Sequence, residues 1–234
     1  MGQTLVVPDP LADLARLEGV PSAVAAALAA VDVVLRDRGE RRLSPDAVAG
    51  SLLRGARASA ALTGDGDRWL PGTVRLSAEL TALAATLRVA PAQALARAHV
   101  LVARGVVPED ALGRVRGDAA TTERLAGLTG LLTGSGSASA VVLAAVVHAE
   151  LADLAPFGSA DAVLARAAEH MVLISAGVDP RGAVPVEAGH ADAGAAYAAA
   201  LAGYAGGTLT GVRDWLLHCT TALGRSAELA ALTG

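Results

Sequence analysis

The stretch HAELADLAPFGSADAVLARA, residues 148–167, concentrates the side chains of this chain that could do chemistry. His148 lies in an apolar run, Pro156-Phe157-Gly158 breaks that run, and Ser159, Asp161 and Arg166 follow the break. A second helix starting after such a break turns the backbone N–H groups of residues 158–161 outward, and a helix N-terminus of this kind attracts anions, phosphate included. Arg166, about two turns further on, would add charge to the same concavity. Asp161 acts the other way: a carboxylate in the first turn stabilises the helix but repels phosphate. Ser159 is placed to cap the helix. From the residues alone, a well-capped turn between two helices explains the segment equally well.

The remaining reactive residues form no recognised constellation. His99, His148, His170, His190 and His218 match no HxxxH or HxxEH pattern, so no metal site is expected. His148 reads as a buried neutral imidazole or as an orienting group behind a site. Catalysis by a Ser-His-Asp triad lacks a GxSxG elbow to carry the serine. Cys219 follows His218 directly; adjacent helical residues diverge, so the cysteine reads as a small core residue. The glycine-rich TGSGSAS at residues 133–139 has no Walker lysine, since all 19 basic residues are arginine, and it follows no predicted strand. It reads as a turn between helices.

The elements that must position these residues are helical. Apolar residues recur at three and four, and alternating β-branched runs are almost absent. Helices are predicted over residues 21–38, 45–62, 73–87, 91–104, 121–132, 138–154, 159–176, 192–204 and 211–223. Ser44-Pro45-Asp46 supplies an N-cap with proline at the first helical position. A polar stretch at residues 39–42, Gly64-Asp65-Gly66-Asp67 and Pro71-Gly72 read as breaks. The expectation is one all-α domain of about eight to ten helices built around residues 138–176.

Composition excludes several functions. The net charge of −4 and the 2% aromatic content argue against nucleic-acid binding. One cysteine excludes an internal disulfide and a cysteine-based zinc site. No apolar window is long enough and free of charge to span a membrane. The first residues lack a basic n-region, and Val6 stands where N-myristoylation wants Ser or Thr. A cytoplasmic protein is expected.

In order and spacing, residues 45–220 resemble the Fic (Fido) family, whose members typically transfer AMP from ATP to protein hydroxyls. The family signature is HPFxxGNGRxxR, preceded by a helix that often carries its own histidine. Pro156, Phe157 and Arg166 match the signature, and His148 matches the upstream histidine. Residues 173–180 resemble the LLxxxGYP stretch, while Tyr197, Leu201, Tyr204 and Trp215 resemble the closing helices. His99 and Gly113-Arg114-Val115-Arg116 resemble the upstream LH helix and GxxR turn. Arg57, Ser59 and Thr63 fall on the inhibitory helix, with Thr63 where its glutamate would stand.

The resemblance implies an all-α, Fic-like domain over residues 45–234 with a buried central helix-loop-helix and a helical segment, residues 1–44, packed on it. It also implies a ligand cleft at His148, Ala155, Pro156, Phe157, Ser159, Asp161 and Arg166. The departures imply that transfer is lost. Ala155 replaces the histidine base, Ser159 the acidic magnesium ligand, Ala160 and Ala162 the loop glycines, Asp161 the asparagine and Val163 the first arginine. The β-hairpin flap that docks targets has little room near residues 116–121. The expectation is a pseudoenzyme that binds a partner protein or a small ligand, with no cofactor and with weak or absent ATP and Mg2+ binding. A homodimer is also expected to be feasible, given the many small residues. The alternatives are an enzyme of another chemistry built on Asp161, Ser159 and Arg166, or a purely structural helical protein.

Overall fold

Helix starts follow the side chains that cap them. Ser44 Oγ accepts from the Ala47 amide at 3.1 Å, and Pro45 is the first helical residue. Asp118 accepts from the Thr121 amide at 2.8 Å, and Ser139 from the Val141 amide at 3.3 Å. The computed structural model describes residues 11–37, 44–134 and 138–231. Its α-helices are α1 (Val20–Asp37), α2 (Pro45–Ala61), α3 (Gly66–Ala78), α4 (Leu80–Leu87), α5 (Pro91–Ala103), α6 (Ala119–Thr133), α7 (Ala140–Leu154), α8 (Asp161–Ser175), α9 (Val186–Asp192), α10 (Ala195–Ala205) and α11 (Leu209–Ala231). Among the described residues there is no strand; Arg104 and Val107 make an isolated bridge. The fold class is all-α. No helix among these residues is long and apolar enough to cross a membrane.

The core is the antiparallel pair α7–α8. Both helices are apolar on most sides, so both must be covered. Helices α4, α5, α2 and α9 cover α8, while α6, α10 and α11 lie against α7. Leu151, Leu164, Met171 and Leu173 are essentially inaccessible, each burial worth roughly 1.5–3 kcal/mol. Helix α1 lays Val20, Val24, Ala27, Val31 and Val34 along α11, at alternating spacings of four and three.

Several boundaries differ from the sequence reading. Pro71-Gly72 is no turn but lies inside α3. A Cβ on Gly72 would sit 2.0 Å from the Val102 carbonyl oxygen, so this glycine serves a close crossing of α3 over α5. The predicted helix 73–87 is two helices that part at Glu79. The predicted helix 192–204 is α10, which starts at Ala195; the short α9 before it, ended ahead of Gly194 at φ 56, has no counterpart among the predicted helices. The C-terminal helix runs on to Ala231, and the helix expected from Ser159 starts at Asp161. The split and the additional α9 give eleven α-helices among the described residues rather than eight to ten. The breaks read at residues 39–42 and 135–137 lie outside the described residues.

Candidate functional site

The loop between α7 and α8 is tightly wound. Ala155 closes α7 at φ 44, Gly158 follows at φ 71, and Ala160 opens α8 at φ 56. Ala155 and Ala160 are the non-glycine residues with positive φ among those described. The left-handed region costs a residue with a Cβ about 1–2 kcal/mol. Ala160→Gly is therefore expected to raise stability by up to about 1 kcal/mol, and Ala162→Gly, on the exposed face of α8, to lower it by a similar amount. Urea denaturation of the two variants checks the opposite signs.

The outward-facing amides of this loop are already occupied. Asp161 Oδ1 accepts from the Phe157 amide at 2.9 Å, and the Gly158 and Ser159 amides also act on its carboxylate. Burial pushes the Asp161 carboxyl above its usual range, although these amides and Arg116 favour the charge. The helix N-terminus alone predicts the opposite direction. Ser159 does not cap α8: the N-cap is Ala160, without a side-chain bond. Ser159 Oγ instead meets His99 Nε2 at 3.0 Å. The Gly113 amide donates to His99 Nδ1 at 2.9 Å, so the His99 proton sits on Nε2 and points at Ser159. The imidazole also stacks on Phe157, with ring centroids 4.4 Å apart.

Arg116 braces the loop from outside. Its guanidinium donates to the Leu154 carbonyl at 2.6 Å, and its amide to the Pro156 carbonyl at 2.8 Å. Its side chain passes over Gly158, where a Cβ would lie 3.6 Å from Arg116 Cδ. Arg116 was read only as part of a turn; its bracing of a loop some 40 residues away leaves no local signature.

Arg166 does not add charge to the loop. It is buried two turns down α8, where Nε donates to Ser59 Oγ and a terminal nitrogen to the Ser59 carbonyl, both at 2.9 Å. Its other terminal nitrogen donates to Tyr197 Oη at 3.2 Å. Among the described residues no carboxylate lies within ion-pair distance of it. Of the residues read as an inhibitory helix, only Ser59 reaches Arg166. Arg57 is exposed, and Thr63 lies past the end of α2, its hydroxyl bonding the Ala60 carbonyl. Ser59, Thr73, Val163, Ala167 and Glu187 enclose a space of about 10 Å3, less than a nucleotide needs by more than an order of magnitude.

His148 is also far from an open cleft. It is buried, with Nδ1 2.5 Å from Glu169 Oε2 and Nε2 2.9 Å from Tyr197 Oη. His190 Nε2 lies 2.8 Å from the same Glu169 oxygen, and His190 Nδ1 3.1 Å from His218 Nε2. One proton assignment satisfies every contact. Arg166 donates to Tyr197, Tyr197 to His148, and His148 to Glu169; from the other end, His218 donates to His190 and His190 to Glu169. Burial lowers His148 to about 4, outweighing the pull of Glu169. Burial pushes the Glu169 carboxyl up, but His190 and His148 outweigh it and hold it below the usual range. Glu169 has no role in the sequence reading, and His190 and Tyr197 enter it only as a histidine outside any metal pattern and as part of a closing helix. The available signal was the polar set Arg166, Glu169, His170 on an otherwise apolar helix, spaced to face inward together.

No protein-family model and no curated protein matches this sequence. The structure is similar to the crystal structure of a Fic family protein from Desulfovibrio desulfuricans G20. The TM-score is 0.70 at 18% identity, over 90% of this chain and 74% of that one. The chain therefore has the Fic-type fold, assembled around a loop filled from within.

Proposed function

We propose that this chain is a Fic-fold protein that has given up nucleotidyl transfer and works by binding, with a partner protein or a small non-nucleotide ligand as its target. The observation that carries this reading is Asp161, whose carboxylate takes the loop amide that would otherwise receive a phosphate. Supporting it, Ala155 offers no base for a target hydroxyl, and Ser159 no carboxylate for magnesium. Arg166 is engaged by Ser59 and Tyr197. The geometry gives little support to hydrolytic chemistry on Ser159, because His99 donates to that hydroxyl and cannot take its proton.

The test is incubation with labelled ATP, UTP or CDP-choline, with and without candidate protein acceptors. No transfer is expected, and ATP with Mg2+ is expected to leave the melting temperature unchanged. A ligand at 100 times its Kd would add about 2.7 kcal/mol of stability, which such a melt detects. Label transfer that disappears in Arg166→Ala and Asp161→Ala would overturn the proposal.

A further inference from the structure

We propose that His148 Nδ1, Glu169 Oε2 and His190 Nε2 form a binding site for one divalent transition-metal ion of the zinc class. Helices α7, α8 and α9 each supply one donor, and the three donor atoms lie within 4.8 Å of one another, all buried. None of their hydrogen bonds reaches the loop of residues 155–160, so the site is separate from the one described above. Two imidazoles and one carboxylate make a borderline donor set. It suits Zn2+, Co2+ or Ni2+ and disfavours Mg2+ and Ca2+, which want oxygen.

The surroundings have the features of a metal site's outer shell. Each candidate ligand histidine has its second nitrogen held, His148 by Tyr197 Oη at 2.9 Å and His190 by His218 Nε2 at 3.1 Å. Such contacts fix ring orientation. Either outer atom can accept a proton moved to the far nitrogen, leaving the inner lone pair for the ion. The donors now stand 2.5 Å and 2.8 Å apart across hydrogen bonds. Tetrahedral bonds of about 2.0–2.1 Å need neighbouring donors roughly 3.3 Å apart. The two hydrogen-bonded pairs would open by under 1 Å, and the two imidazole nitrogens, within 4.8 Å of each other, would close by up to about 1.5 Å. Charge sets the strength. Glu169 neutralises one of the ion's two charges, and Arg166 stands one hydrogen bond beyond Tyr197, so binding is expected to be reversible by a chelator. Half-buried His218 is the outermost member of the network.

The experiment is titration of chelator-stripped full-length protein with Co2+, followed by visible d–d absorption, with Zn2+ competition and Mg2+ as control. One Co2+ per chain is expected, displaced by Zn2+ and indifferent to Mg2+. His190→Gln should abolish the band and Cys219→Ala should retain it. His218→Gln, which removes only the outer partner of His190, should weaken affinity about tenfold or more. No saturable Co2+ binding by the wild-type chain would overturn the proposal, whether or not the His190 variant folds. A band that survives in His190→Gln would overturn it too, by placing the ion elsewhere.

Discussion

Gly189→Ala is expected to destabilise the fold severely, by more than about 4 kcal/mol. A Cβ at this position would stand 2.0 Å from the Ala222 carbonyl oxygen and 2.5 Å from Ser226 Oγ. The Ala222 contact is backbone, so no side chain can swing away, and α9 would have to lift off α11. The Gly189 amide would then lose its bond to Ser226 Oγ, now 2.9 Å. The lift would also withdraw two buried groups that α9 delivers, His190 to Glu169 and Glu187 to His170. Overpacking alone costs typically about 1–3 kcal/mol. With two buried networks opened at once, a loss above about 4 kcal/mol is expected, against a usual total of about 5–15 kcal/mol. Gly224→Ala is the control. It lies in α11 with nothing within 4 Å of its added Cβ, and should gain up to about 1 kcal/mol from helix propensity. Urea denaturation of both variants measures the contrast. A Gly189→Ala midpoint equal to wild type would show that α9 and α11 are not locked at this crossing.

The parts that sequence could reveal are those written within one helix or one turn. The apolar run 140–154, the Pro-Phe-Gly break and the helix after it place α7, the loop and α8 to within two residues, because breaker residues and periodicity are local. The filling of the loop was only half legible. Asp161 was recognised as a charge opposing phosphate, but its reach back to the Phe157 amide needs two left-handed alanines that no propensity predicts. Helix α9 was missed because it has seven residues and no side-chain cap; its packing on α11 and α2 holds it in place. Without α9, nothing in the sequence places His190 beside Glu169. Glu169 is 21 residues from His148, and His190 is 21 from Glu169, so no window of helical length contains two members of the set. Arg166 illustrates the converse. Its position was legible and its surroundings were not, because whether an arginine faces a cleft or Ser59 depends on how α2 docks.

His170→Gln is expected to cost about 3–5 kcal/mol and to remove the fall in stability between about pH 7 and 8.5. His170 is buried between two carboxylates, with Nδ1 3.1 Å from Glu187 Oε1 and Nε2 3.8 Å from Asp179 Oδ2. The second distance is too long for a hydrogen bond, and His170 Nε2 and Glu187 Oε2 have no hydrogen-bond partner, so charge carries much of this contact. Burial alone would lower the His170 pKa, but Glu187 and Asp179 outweigh it and raise it to about 10. Burial raises the Glu187 carboxyl, and His170 in turn holds it below the usual range. In the unfolded chain an ordinary histidine titrates near 6.5. Its folded-state rise therefore stabilises the protein fully below pH 6.5 and progressively less as pH climbs through about 10. Glu187 has the opposite sign: its contribution is present above the unfolded carboxylate range and lost as pH falls toward its lowered folded value. Urea midpoints measured from pH 7 to 8.5 in chelator, below the range where the buried Cys219 thiol and the tyrosines add their own alkaline loss, should fall for wild type and stay flat for His170→Gln. Glutamine leaves the buried Glu187 charge without its ion partner, while Asp179 keeps the Ala183 and Val184 amides, so adding Glu187→Gln should restore part of the loss. The resulting double-mutant cycle should give a coupling within the range of about 0.5–3 kcal/mol seen for contacting residues. Additive losses, or a fall between pH 7 and 8.5 that persists without His170, would show that the imidazole is neutral in the folded chain and contributes only by packing.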